Sequence, residues 1–358
     1  MFNLLAMPRL KLSTLLGLFS ALLLSGCNMV LLSPSGDIAM QQKDIMLISV
    51  WLMLIVIVPV IVLTLLFAWK YRASNTEATY RPEWHHSTIL ELVIWSVPLV
   101  IIIALGAITW VSTHSLDPYR PLERISEGRD VPMDTKPLVV EAVAMDWKWL
   151  FIYPEQGIAL VNELAAPVDR PIEFRITSTT MMNSLFIPAL AGQIYAMPGM
   201  QTKLHAVINK EGDFEGFSGN YSGAGFSHMR FRFHGVSEAD FNAWVEKNRK
   251  EGAELTREAY LKLEQPSERD PVQRFAKVDD KLYDAILNRC VESNRMCIKD
   301  MVAIDAKGGM GETGTHNLAS NATIGHKIGL KLASQKTYVG TLCAPEVQAE
   351  AEAKAKVL

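Results

Sequence analysis

The chain has 358 residues, 49% hydrophobic and 20% charged, with a formal net charge of −3. The slight acidity and the lack of any basic tract argue against a nucleic-acid partner. The length suffices for one sizeable domain with extra segments. Cysteines at 27, 290, 297 and 343 are too scattered for a zinc or redox motif.

The amino terminus reads as an address. Arg9 and Lys11 precede an apolar stretch from Leu15 to Leu24, and Leu24-Ser25-Gly26-Cys27 follows. A basic start, a short apolar stretch and small residues at the cut describe a secretory signal, and that stretch is too short to span a bilayer. The residues before Cys27 resemble a bacterial lipobox, which implies a signal peptide over 1–26, cleavage before Cys27 and lipid attachment there.

Residues 27–44 form a short outward segment, and two spanning helices follow. Ile45–Trp69 is apolar apart from Ser49, Pro59 and Thr64. Ile89–Trp110 holds Pro98 and a single acid, Glu91. Both are long enough at 1.5 Å per residue to cross the hydrocarbon core. Tryptophans 51, 69, 95 and 110 suit membrane interfaces. The 70–88 loop carries Lys70, Arg72 and Arg81, whereas 28–44 has only Lys43, so the loop faces the cytoplasm and both termini face outward.

After a charged, proline-bearing linker (111–136), strand patterns dominate over 137–240. They include Leu138–Ala144, Asp146–Phe151, Ile172–Ile176, Lys203–Ile208 and His228–Phe233, with Gly, Pro or Asn in the gaps. Such spacing predicts a β-sandwich. Residues 241–305 read as a helical arm, with helices at Phe241–Lys247, Glu254–Leu263 and Val278–Leu287. Residues 306–358 read as a flexible tail.

Three stretches carry a family resemblance: Met145–Ala159 (MDWKWLFIYPEQGIA), Gln193–Thr202 (QIYAMPGMQT) and Tyr221–Met229 (YSGAGFSHM). With the lipobox and two spanning helices, they resemble subunit II of the haem–copper oxidases, most of all the cytochrome o ubiquinol oxidases, over roughly residues 27–300. The resemblance implies a membrane α-helical hairpin plus an all-β cupredoxin-like sandwich, with a helical C-terminal extension. It also implies a bacterial inner-membrane location with the sandwich in the periplasm.

Members that oxidise cytochrome c hold two copper ions with two cysteines, two histidines and a methionine. The matching positions here read Ser218, Ser222, Asn183 and Phe226, with Met229 alone retained. Serine hydroxyls stay protonated at neutral pH and do not replace bridging thiolates. The expectation is a sandwich without metal, Met229 packing in the core and His228 on a strand surface. A port for a soluble cytochrome is then absent, which suits a quinol that reaches its partner through the bilayer.

None of the eight histidines (85, 86, 114, 205, 228, 234, 316, 326) lies in a spanning run. Haem and the oxygen-reducing copper therefore fall to a partner, subunit I, with smaller membrane subunits, lipid and quinol as further associates. The chain has no catalytic or cofactor-binding residue of its own on this reading. Glu91, the lone intramembrane acid, marks a proton-uptake mouth by resemblance, against the plainer reading of an interface anchor. Trp147 and Trp149 are expected to pack at the subunit junction. Cys290 and Cys297 face an oxidising compartment and are close enough in sequence for a local disulfide. The competing functions are a stand-alone lipoprotein sensor or assembly factor, a menaquinol oxidase subunit, and a cytochrome c oxidase subunit, the last opposed by Ser218, Ser222 and Phe226.

Overall fold

The structure, a computed structural model, describes residues 29–79 and 81–306. The signal segment, Cys27, and the tail beyond 306 with Cys343 lie outside the described residues. The chain divides into two bodies.

The first body holds most of helices α1 (Asp37–Lys70) and α2 (Thr88–Ser115), both long and apolar enough to cross a membrane. Each outruns its apolar stretch, because hydropathy marks the bilayer and not the helix. Polar residues such as Gln41, Gln42 and Asp44 continue the hydrogen-bonded ladder outward, and His114 stands on the last turn of α2. Asp37 in the first turn and Lys70 in the last suit the helix dipole. Within the apolar run, Ser49 Oγ donates to the Ile45 carbonyl (2.8 Å) and Thr64 Oγ1 to that of Val60 (2.7 Å). Neither hydroxyl is then left unpaired toward lipid. No residue of α2 is buried.

The second body comprises 36–38 and the chain from 111 onward. Its strands are β1 (Arg124–Ser126), β2 (Arg129–Asp130), β3 (Leu138–Met145), β4 (Lys148–Tyr153), β5 (Ile158–Val161), β6 (Glu163–Pro167) and β7 (Ile172–Ser178). After these come β8 (Asn183–Phe186), β9 (Ile194–Ala196), β10 (Thr202–Ala206), β11 (Gly212–Ser218), β12 (Arg230–Val236), β13 (Ala253–Leu255) and β14 (Gln273–Val278). They form a seven-stranded sheet ordered β10-β7-β3-β4-β5-β14-β13, a five-stranded sheet ordered β6-β12-β11-β8-β9, and the small pair β1-β2.

All six residues of β4 are buried, which explains why its sequence reads as a continuous apolar run. Strand side chains alternate between faces. Trp149, Phe151 and Tyr153 point to the core between the two large sheets, beside Phe174, Phe231 and Phe233. Leu150 and Ile152 point to the opposite face, where Tyr260, Leu282 and Ile286 of the arm cover them. Each such side chain contributes about 1.5–3 kcal/mol when fully buried.

The expected arm (241–305) differs from the observed one. It does contain helices: α3 (Glu238–Glu251), capped by Ser237, α4 (Arg257–Leu263), capped by Thr256, α5 (Leu282–Leu287) and α6 (Ile298–Asp305). It also contributes two strands to the large sheet. β14 pairs antiparallel with β5, and β13 lies parallel to β14. Ala253–Leu255 is a strand because the Thr256 cap starts the next helix only after it. Cys290 and Cys297 form a disulfide between α5 and α6.

At the other end of this body, the Gly36 amide donates to the Ala189 carbonyl (2.8 Å), and Gly36 bridges Ile208. Asp37, buried, accepts from Arg124 Nε at 2.9 Å and Nη2 at 3.1 Å. This bidentate pair ties Asp37 to β1 within the second body.

Candidate functional site

The loop after β11 gathers the positions singled out in the sequence. Ser218 ends β11, Asn183 begins β8, and the loop runs through Ser222 and Phe226 to Met229. Asn183, Ser218, Ser222 and Met229 are all buried. Ser218 Oγ donates to Asn183 Oδ1 at 3.1 Å, and the Ser218 amide donates to the Met229 carbonyl at 3.2 Å. The fold thus preserves the meeting of these two strands and the loop, with neutral oxygen and amide groups in place of sulfur and imidazole.

That donor set does not fit a thiolate-bridged copper pair. It offers two alcohols, one amide and one thioether, none of them an anion at neutral pH. Met229 is fully buried in the apolar core. Among the described residues, no three His, Cys, Asp or Glu side chains are grouped to hold a metal ion.

An aromatic plug holds the loop in place. Trp147 adopts a left-handed backbone (φ 68°), and its Nε1 donates to the Ser222 carbonyl at 3.1 Å. Its indole lies flat against two glycines. A Cβ at Gly225 would fall 2.5 Å from the ring, and one at Gly223, where φ is +118°, 3.1 Å. The sequence holds this signal in Gly223-Ala-Gly225, but its partner lies more than seventy residues upstream.

Several expectations change here. Trp149 has no exposed surface and lies inside the sandwich against Phe151 and Phe231, so it cannot pack at a subunit junction. Trp147 is half-buried on its own loop. His228 sits in a short 3-10 turn (Phe226–His228) before β12, not on a strand, and its Nε2 accepts from Arg269 at 3.0 Å.

Lys148 is the functional-looking residue that sequence reading passed over. Its side chain is 1% exposed, and its Nζ donates to the Gln265 carbonyl (2.8 Å) and to Ser267 Oγ, with Asp270 at 3.3 Å. A buried cation needs such a set of partners. All three come from the arm, so Lys148 ties β4 to the chain beyond residue 264.

Glu91 stands in the first turn of α2, where a negative charge suits the helix dipole. Its Oε1 lies 2.6 Å from His86 Nδ1, and the carboxylate is about half exposed. The other ring nitrogen of His86 lies 3.2 Å from Thr88 Oγ1. The acid therefore has an imidazole partner just before the helix begins.

Two family profiles match the outer body. The one described as "Cytochrome C oxidase subunit II, periplasmic domain" covers residues 155–236, and "COX Aromatic Rich Motif" covers 249–294. The chain is 53% identical over 274 residues to the cytochrome bo(3) ubiquinol oxidase subunit 2 of Pseudomonas aeruginosa, spanning 76% of this chain and 80% of that one. The chain belongs to the ubiquinol oxidase subunit II family. The ubiquinol oxidase subunit 2 of Acetobacter aceti is 52% identical, over 76% of this chain and 86% of its own. The quinol oxidase subunit 2 of Bacillus subtilis is 41% identical, over 69% and 75%. Among solved structures, the periplasmic domain of subunit II of cytochrome oxidase from Bradyrhizobium japonicum aligns with a TM-score of 0.32 at 25% identity, over 34% of this chain and 100% of that one. In this subunit II, the aromatic-rich segment is the arm that supplies β13, β14 and the partners of Lys148.

Proposed function

We propose that this chain is the structural subunit II of a terminal ubiquinol oxidase and holds no metal of its own. The complex oxidises quinol with oxygen and couples the reaction to proton translocation. The observation that carries the reading is the loop at Ser218–Met229, folded and plugged by Trp147 but lacking the thiolates and imidazoles that a copper pair needs. A domain that kept its packing and lost its ligands serves as a scaffold. Electrons then enter the partner from the bilayer, and the haems and oxygen-reducing copper belong to a histidine-bearing subunit I, with smaller membrane subunits beside it.

On this reading Cys27 carries a lipid at the outer leaflet, and α1 and α2 anchor the periplasmic sandwich against subunit I. The exposed apolar surface of both helices supports such a partner. Glu91 takes up protons from the cytoplasmic side, and its pairing with His86 supports a position at the water boundary.

Purification of the tagged chain from membranes tests the assignment. Haem absorbance and copper are expected only while partner subunits co-purify, with oxygen consumed on ubiquinol and none on reduced cytochrome c. Stoichiometric copper on the isolated chain would overturn it. Glu91→Ala is expected to slow proton-coupled turnover, and unchanged oxygen uptake and pumping would remove that role.

A further inference from the structure

The arm meets the sandwich in contrasting ways. Over Val278–Leu287 it roofs a cavity of about 420 Å³, whose floor holds Glu141, Ile152 and Arg175. At Arg274 of β14 it closes a tight cluster of ionisable side chains around His234 of β12. The His234 Nδ1 lies 2.5 Å from Asp213 Oδ1 on β11, and its Nε2 lies 3.2 Å from Glu163 Oε1 on β6. The other oxygen of Glu163 accepts from Arg274 Nη2 at 3.0 Å. One imidazole thus touches both neighbours of its strand in the five-stranded sheet, and Glu163 passes the contact on to the arm.

This geometry fixes a protonation state. A carboxylate only accepts hydrogen bonds, and a neutral imidazole has one N–H to give. A carboxylate oxygen stands at each ring nitrogen, so both contacts are hydrogen bonds only when the ring is the doubly protonated cation. Glu163 is the anion that faces it. The hydrogen bond from His234 is the main cause that holds the Glu163 carboxyl below its usual range, against the cost of burial and with help from Arg274. The same bond, joined by Asp213, raises the His234 imidazole above its ordinary value of 6.5, although burial opposes it.

We propose that His234 is a pH-sensitive clasp, which holds β11, β12 and β6 together while protonated and frees the Asp213 end of the β11–β12 hairpin when it is not. Loss of a proton turns one ring nitrogen into a lone pair facing a carboxylate. It also leaves two acids on either side of a neutral ring. Asp213 is 71% exposed and is then hydrated, whereas Glu163, 14% exposed, keeps Arg274. Further charges on this face are Arg232 of β12 and Glu215 of β11, the latter held by Arg230 at 2.7 Å. On the proposed topology the clasp lies in the periplasm and follows the external pH, a setting that rests on the proposed function.

His234 binds its proton more tightly in the folded chain than in the unfolded one. The clasp's contribution to stability is therefore complete below the ordinary 6.5 and is lost as pH climbs through the raised value. Glu163 bounds the window on the acid side. Its lowered carboxyl gives up its share only as pH falls through that lowered value. The clasp is closed between these limits.

Nuclear magnetic resonance of the full chain in phosphatidylcholine nanodiscs, labelled at histidine, tests the clasp, with the His234 signal assigned by its loss in His234→Gln. That signal is expected to titrate above 6.5, and Asp213→Asn and Glu163→Gln should each lower its midpoint. Hydrogen–deuterium exchange over Gly212–Phe214, corrected for intrinsic rates, should run about tenfold faster at pH 9 than at pH 6. His234→Gln should remove that pH dependence. Asp213 lies at the surface, so Asp213→Asn keeps the test open where Glu163→Gln fails to fold. A wild-type midpoint at or below 6.5, or one that Asp213→Asn leaves in place, overturns the proposal. Exchange that ignores pH, or that keeps its pH dependence in His234→Gln, overturns it equally. Both measurements read the lone chain, so neither outcome turns on assembly with an oxidase.

Discussion

The loop at Ser218–Met229 and the cavity beneath the arm are both polar places in one sandwich, the first closed by its own side chains and the second an open space lined by acids. In the loop, Ser218 pairs with Asn183, Met229 packs in the apolar core and Trp147 covers the glycines, while the Ser222 hydroxyl is buried without a partner among the described residues. In the cavity, Glu141 lines open space near Arg175, while the Tyr283 hydroxyl is shut off from it. Most of the loop's polar atoms are satisfied from within, because unpaired buried polar atoms cost free energy.

The difference can be tested by substitution. The largest effect is expected at Trp149, walled in by Phe151 and Phe231. Trp149→Ala should destabilise the outer body by about 3–5 kcal/mol in denaturant melts of the full chain. A loss below 1 kcal/mol would mean that the sandwich behind the loop is loosely packed. Lys148→Met comes next, at about 3 kcal/mol, because it leaves the Gln265 carbonyl without its donor and the Asp270 carboxylate with the Ser267 hydroxyl but no cation. Protease sensitivity should appear first in the arm, and uniform sensitivity would contradict the role of Lys148 as a tie.

Gly225→Ala probes the plug itself. Its new methyl meets the indole, so a cost of about 1–3 kcal/mol is expected. Combined with Trp147→Ala, the two should cost less than their sum, and strict additivity would show that the ring does not hold the loop.

The smallest effect belongs to the cavity. The Glu141 carboxyl at about 7 lies above its ordinary 4.5, so the folded state keeps a proton that the unfolded chain releases. That stabilisation is full below about pH 4.5 and is lost as pH climbs through 7. Glu141→Gln should therefore flatten the decline and gain about 1–2 kcal/mol at pH 8, after allowance for solvent screening. Parallel pH profiles for the two proteins would show that the carboxyl is already solvated.

Much of this was legible in the residues. The two spanning helices follow from uninterrupted apolar runs, and β3, β4, β7, β10 and β12 from alternation or aromatic content. The family resemblance located Ser218, Ser222 and Asn183, and the structure joins Ser218 to Asn183. What escaped was pairing over distance. Nothing in Gln273–Val278 announces β5 as its neighbour, more than a hundred residues earlier. Lys148 reads as an exposed charge until the arm folds over it. Glu141 and Tyr283 look unremarkable apart, and only the roof over the sheet sets them at one cavity. The His86–Glu91 contact crosses a helix start, where periodicity says nothing about reach.

Because β14 lies between β5 and β13, the large sheet stays unfinished until Val278 has been exported. A nascent polypeptide that has emerged only as far as Val236 has every strand of the five-stranded layer, yet shows the bare backbone of Ile158–Val161 to its surroundings. Such a naked margin invites pairing with foreign strands. The aromatic-rich tailpiece covers that margin, so a gene truncated before it is expected to yield a sticky product rather than a smaller subunit.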